Sequence, residues 1–132
     1  AHLADAMMVA RGDLGVEIGR ENVPYVERQI HKLGNQLGKP TMTATEVLMS
    51  MAKGAGRATR GDIEGLYAAV HDHGADAIML GKETSYPEHP GKVVSEAALA
   101  IGRAESDLHE RPFRNIAEGN AQVTTPLGTR FS

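Results

Sequence analysis

Three short clusters in this 132-residue chain combine residue types that handle metal ions and phosphates: Arg11-Gly12-Asp13, Ala44-Thr45-Glu46 and Lys82-Glu83-Thr84. Asp13 and Glu83 are hard oxygen donors, the kind that suits Mg²⁺ or Mn²⁺. Gly12 lets a backbone N–H approach an anion with no side chain in the way. Thr45 is expected at the start of a helix, where a hydroxyl and free N–H groups favour a phosphate or carboxylate. Glu46 suits the first turn of that helix as well as it suits a site. For each cluster alone a plain explanation stands beside the chemical one, because loops after strands begin with polar residues. The clusters become a site only if the fold brings them to one rim.

The elements needed for that are legible. Short apolar runs at Ala6–Ala10, Pro40–Ala44 and Ala77–Gly81 suit strands buried on both faces. Between Asn22 and Leu37, Val23, Val26, Ile30, Leu33 and Leu37 recur at helical spacing. Asn22 is an N-cap candidate, Pro24 fits the first turn, and Gly38 is a stop. A second helix is expected over Asp62–His71 and a third from Pro90, carrying Val93, Val94, Ala97, Ala98 and Ile101. The order is β-α-β-α-β-α, with strands starting near residues 6, 41 and 77 and a faint echo between "DAMMVARGD" and "DAIMLGKET". Such a repeat predicts a parallel α/β fold. A (β/α)8 barrel needs about 250 residues, so residues 1–118 are expected to form three β-α units of one. Residues 119–132 read as a tail or linker. In parallel α/β folds the site forms at the carboxyl ends of the strands, where all three clusters fall.

Other features narrow the function. The net charge of −3 argues against a nucleic-acid surface. There are no cysteines, which excludes disulfides, thiolate catalysis and thiolate-bound metals. No apolar run approaches a membrane span and no signal peptide is visible, so the cytoplasm is the expected compartment. "AKGAGRATRGD", Ala52–Asp62, lacks the full phosphate-loop pattern and reads as a flexible basic loop over the rim. His71 and His73 face apart if helical, so both are expected to be solvent-exposed.

Longer segments add a resemblance. "MMVARGDLGVEI" resembles the signature that ends the sixth barrel strand of pyruvate kinases. "GKPTMTATEVLMSM", "ATRGDI" and "GADAIMLGKET" resemble that family's seventh-strand, P-T-R-A-E and eighth-strand segments, in the same order. The resemblance runs from about residue 3 to about residue 112 and implies part of a TIM barrel. The activity it implies is phosphoryl transfer from phosphoenolpyruvate to ADP, giving pyruvate and ATP in glycolysis. It assigns the divalent metal to Asp13, the substrate to Gly12, Asp13 and Thr45, and catalysis to Thr45 and Glu83. The implied cofactors are Mg²⁺ or Mn²⁺, with K⁺ in the parent family.

The chain departs from the family pattern in several places. Glu46 stands where the family has Gln, and Gly81-Lys82 where it has Ser-Gly. Ala58 replaces a proline, and Gly61-Asp62 replace Ala-Glu. The family's catalytic lysine, second metal carboxylate, potassium ligands and most nucleotide contacts match nothing in this chain. Residues 1–132 alone are therefore expected to be inactive, as part of a longer chain or an oligomer.

Other functions remain open at this stage. One is a Mg²⁺-dependent aldolase or lyase barrel acting on pyruvate or oxaloacetate. Another is a non-catalytic half-barrel that assembles with a partner or with itself, since parallel edges invite pairing. Adhesion through the Arg-Gly-Asp triplets at Arg11 and Arg60 has no support from a secretion signal.

Overall fold

The computed structural model describes residues 2–85 and 88–109, together with the strand residues 123–124 and 130–131. Met7–Ala10 (β1), Thr41–Ala44 (β2) and Ala77–Met79 (β3) form a parallel sheet in the order β1-β2-β3. The register pairs Met8 with Met42 and Met42 with Ala77, and Ala10 with Ala44 and Ala44 with Met79. Strands adjacent in sequence are thus adjacent in space, as in a barrel wall. The expected strands are all present, each trimmed by a residue or two where the chain leaves the ladder.

Between β1 and β2 lie Arg11–Ile18 (α1), a 3₁₀ turn at Arg20–Asn22, and Val23–Leu37 (α2). Between β2 and β3 lie Met49–Ala52 (α3) and Arg60–His71 (α4). Lys82–Ser85 (α5) and Pro90–His109 (α6) follow β3. The expected tail falls mostly outside the described residues; within it, Val123–Thr124 (β4) pairs antiparallel with Arg130–Phe131 (β5). No helix among the described residues is long and apolar enough to cross a membrane.

Local sequence explains the helix ends. Gly38 takes the left-handed conformation (φ 64°), and the N–H of Lys39 reaches back to the Gly34 carbonyl at 2.9 Å. Asn22 holds the cap position of α2, but its side-chain amide instead donates to the Ile18 carbonyl at 2.7 Å, closing α1. Helix α4 opens on a capping box: the Thr59 hydroxyl accepts from Asp62 N–H and the Asp62 carboxylate accepts from Thr59 N–H.

The apolar core lies toward the C-terminal half. Val47, Leu48 and Met51 pack with Leu66 of α4 and with Val93, Ala97 and Ala100 of α6. Ile78 and Leu80, in and just after β3, close it from the sheet side. The opposite side of the sheet is more open, and Met8 there is 56% exposed.

Helix α2 sits tightly on the sheet because Gly34 has no side chain. A Cβ there would collide with the Thr41 methyl and approach the Met7 Sδ-methyl carbon to 2.9 Å and the Lys39 carbonyl to 3.2 Å. Gly34→Ala is expected to lower unfolding free energy by about 1–3 kcal/mol through overpacking. The check is a fall in the urea midpoint without a change in slope.

Candidate active site

Three strand ends meet at one cavity of about 260 Å³, lined by Gly12, Asp13, Thr45, Glu46, Met49, Gly81, Lys82 and Glu83. The three clusters therefore converge on the carboxyl-end rim. Every residue assigned to the site from sequence, Gly12, Asp13, Thr45 and Glu83, lines this cavity.

Asp13 is carried by α1, which follows β1 without a break. It occupies the first turn, where the helix dipole favours a carboxylate. It is exposed, and among the described residues its carboxylate has no hydrogen bond or ion pair. α1 is the element that pattern reading missed. Its apolar residues make no clear stripe, and Gly12 and Gly15 lower helix propensity. Gly15 is buried and lets α1 pack closely, since a Cβ there would lie 3.2 Å from Arg20 Cγ and 3.5 Å from Val23 Cγ2.

Thr45 is not at a helix start, which corrects one expectation. Residues 45–48 form a bend, and α3 begins only at Met49. Thr45 and Glu46 are both left-handed, with φ of 62° and 53°. Neither is glycine and Thr45 is β-branched, so the turn stores strain, about 1–3 kcal/mol per residue. The Gly12 N–H donates to Thr45 Oγ1 at 3.1 Å. That contact occupies the amide that sequence reasoning offered to an anion. It also fixes the hydroxyl as acceptor on one side and leaves its proton for donation. The Glu46 carboxylate lies over Gly12, with Oε1 3.7 Å from where a Cβ would be, so Glu46 belongs to the cavity and not to a helix turn.

Two side chains grip this turn from either side. Arg11 donates from Nε to the Thr45 carbonyl (3.2 Å) and from Nη2 to the Glu46 carbonyl (2.6 Å). Glu83, 1% exposed, accepts from Val47 N–H at Oε1 (2.9 Å) and from Gly81 N–H at Oε2 (2.7 Å). Burial alone would raise the Glu83 carboxyl. The backbone N–H groups of Glu83 itself, Val47, Gly81 and Leu48 outweigh it and hold the carboxyl below its ordinary value. The sequence placed Arg11 in a rim cluster without giving it a role, and did not point to Met49. The available signal for Arg11 was a forked donor beside a strand end.

Behind the sheet, away from the cavity, sits a buried polar network. Thr43 Oγ1 donates to Glu27 Oε1 (2.7 Å), and His31 bridges Thr41 (2.6 Å) and Thr43 (2.9 Å) with its two ring nitrogens. Because Thr43 gives its proton to Glu27, His31 Nε2 is the donor to Thr43. Thr41 N–H and Oγ1 also donate to Asp76 Oδ2, at 2.8 Å and 3.3 Å. His73 Nδ1 lies 3.4 Å from Glu27 Oε2. Burial pushes the Glu27 carboxyl up, but the adjacent His31 and His73 rings, the hydrogen bond from Thr43 and the Arg11 charge hold it well below the usual range.

The two histidines correct another expectation. Their side chains are 7% exposed for His71 and 15% for His73. His71 ends α4, stacked on Tyr67 and paired with Asp72, while His73 lies beyond the helix, so a helical spacing rule did not apply to it.

Comparison with known proteins is consistent with this geometry. Residues 1–94 match the family model described as pyruvate kinase, barrel domain. A pyruvate kinase of Geobacillus stearothermophilus is 39% identical over 127 residues, 95% of this chain and 21% of that relative. One of Clostridium acetobutylicum is 37% identical over 123 residues, 93% of this chain and 26% of the relative. The crystal structure of a pyruvate kinase from Cryptosporidium parvum superposes with a TM-score of 0.74 at 36% identity, covering 78% of this chain and 20% of that one. The chain thus spans about a fifth to a quarter of the relatives it matches.

Proposed function

The chain belongs to the pyruvate kinase family, its β-α units being part of that family's barrel domain, and on that premise we propose that its cavity is one wall of a phosphoenolpyruvate site. The protein that contains it transfers the phosphoryl group of phosphoenolpyruvate to ADP, giving pyruvate and ATP in glycolysis. The observation that carries this is the convergence of Asp13, Thr45 and Gly12 on one cavity at the carboxyl ends of three parallel strands.

A divalent cation fits what the residues offer. Asp13 presents a hard carboxylate with no competing partner among the described residues, and the Glu46 carboxylate lies in the same cavity. Among the described residues no three acidic or histidine side chains cluster as a complete ligand set, so substrate, water or residues outside this chain complete the coordination. Mg²⁺ or Mn²⁺ at Asp13, with K⁺ elsewhere in the parent protein, neutralises charge on the anionic oxygens when bound. Thr45 donates its hydroxyl proton toward the substrate, and Lys82 supplies the cation among the cavity-lining residues. Glu83 serves the site by holding the turn that carries Thr45. In the same proposal residues 1–118 are the barrel portion, and the working protein is cytoplasmic and oligomeric or part of a longer chain.

The test uses the longest natural chain containing these residues, in a coupled assay with phosphoenolpyruvate, ADP and Mg²⁺. Residues 1–132 alone are expected to be inactive. Thr45→Val is expected to lower turnover about 10²-fold, as for loss of a positioned donor, with Thr45→Ser retaining most of it. Pyruvate release from oxaloacetate without ADP would replace the proposal with a lyase function.

A further inference from the structure

We infer that Arg11 and Glu83 are paired positioning residues that force the Thr45–Glu46 turn into its left-handed conformation and so set where the Thr45 hydroxyl meets substrate; this rests on the phosphoryl-transfer function proposed above. Two consecutive peptide units are held by side chains from outside the turn, the second of them at both its carbonyl and its N–H. The carbonyls of Thr45 and Glu46 go to the two prongs of Arg11, directly after β1. The N–H of Val47 goes to Glu83, in the helix that follows β3. The local sequence does not favour this turn: two adjacent non-glycine residues at φ 62° and 53° are uncommon, and a β-branched threonine there is a strong outlier. Such a conformation persists where surrounding contacts over-determine it.

Both gripping residues are engaged with backbone in this arrangement. Arg11 does not line the cavity. Both carboxylate oxygens of Glu83 are committed to backbone N–H groups, Oε1 to Val47 and Oε2 to Gly81. Their influence on chemistry therefore passes through Thr45, whose hydroxyl is tied to the Gly12 N–H. A point charge at position 11 is not enough, because two successive carbonyls need a forked donor.

The experiment uses the natural full-length protein and reads kcat, the KM for phosphoenolpyruvate and the thermal midpoint. Arg11→Ala is expected to lower kcat/KM at least about tenfold, with Arg11→Lys recovering less than half of that loss on a logarithmic scale. Glu46→Gly removes the conformational cost at its position, so Arg11→Ala is expected to lose markedly less in that background. Glu46→Gln keeps the cost and removes only the charge, and is expected to give no such relief. Unchanged kinetics in Arg11→Ala, or equal relief from Gly and Gln at position 46, would overturn the inference. If the parent shows no phosphoryl transfer, the proposed function fails by itself. The clamp is then judged on thermal midpoints: a smaller Arg11→Ala loss in the Gly than in the Gln background upholds it, and equal losses reject it.

Discussion

Asp13→Ala is expected to lower phosphoryl-transfer turnover of the natural full-length protein by about 10²–10³-fold while moving its stability by no more than about 1 kcal/mol. The two effects separate because of where Asp13 sits. Its carboxylate is exposed in the first turn of α1 and makes no hydrogen bond or ion pair among the described residues, so the fold loses only a helix-dipole contact. Asp13 lines the same cavity as Thr45, Glu46 and Lys82, and under the proposed function its loss removes a metal anchor and the charge stabilisation that goes with it. A Mn²⁺ titration, run with and without oxalate as a mimic of enolpyruvate, reports on this directly. Mn²⁺ affinity equal to that of the parent would sink the metal assignment.

Glu27→Gln is expected to act the other way, on stability, with a loss of about 1.5–3 kcal/mol, the scale for a hydrogen bond to a buried charged group. Glu27 and His31 are 2% and 0% exposed, and the network they anchor has little water to fall back on. Its pH dependence follows from the direction of the shift. The folded-state carboxyl lies below its ordinary value of 4.5, so the unfolded chain binds the proton more readily. The stabilisation is fully present above about pH 5 and is lost progressively as pH falls through 4.5 and below. Urea unfolding of the parent should therefore weaken on acidification, and Glu27→Gln should flatten that dependence. A variant with the parent's acid profile would show that Glu27 is not the titrating group.

Much of this architecture was legible from residues alone, because strands and long helices write their own periodicity. AMMVA, PTMTA and AIMLG are short apolar runs bounded by polar residues, and the strands fall within them. Val23–Leu37 carries a strong apolar stripe and a glycine stop, and α2 obeys both. α1 was hidden because RGDLGVEI has no such stripe and is held by close packing of Gly15 against Arg20 and Val23, a tertiary cause. The site showed the same division. That Gly12, Asp13, Thr45 and Glu83 would share a rim followed from strand order. That Thr45 would be left-handed, and that Glu83 would spend its carboxylate on backbone amides, did not follow. Those facts depend on distant partners, Arg11 for Thr45 and Val47 for Glu83, 34 and 36 residues away in sequence. His71 and His73 were misplaced for a related reason: the helix ends between them, so their spacing carried no angular meaning.

The division of the packing gives the cavity one more property. The apolar core joins α3, α4, α6 and the end of β3, whereas α2 is joined to the β1–β2 ladder by the Glu27 network and the close fit at Gly34, and α1 packs on α2 at Gly15. Gly12 and Asp13 come from the second group, Gly81 and Lys82 from the first, and Thr45 and Glu46 from the segment between. The cavity is thus a seam between two differently bonded bodies, and anything bound across it acts as mortar. Its binding free energy adds to their cohesion in proportion to RT ln(1 + [L]/Kd). Amide exchange on ligand binding should slow more in β1 and α1 than in α4 or α6, whose protection already comes from the core.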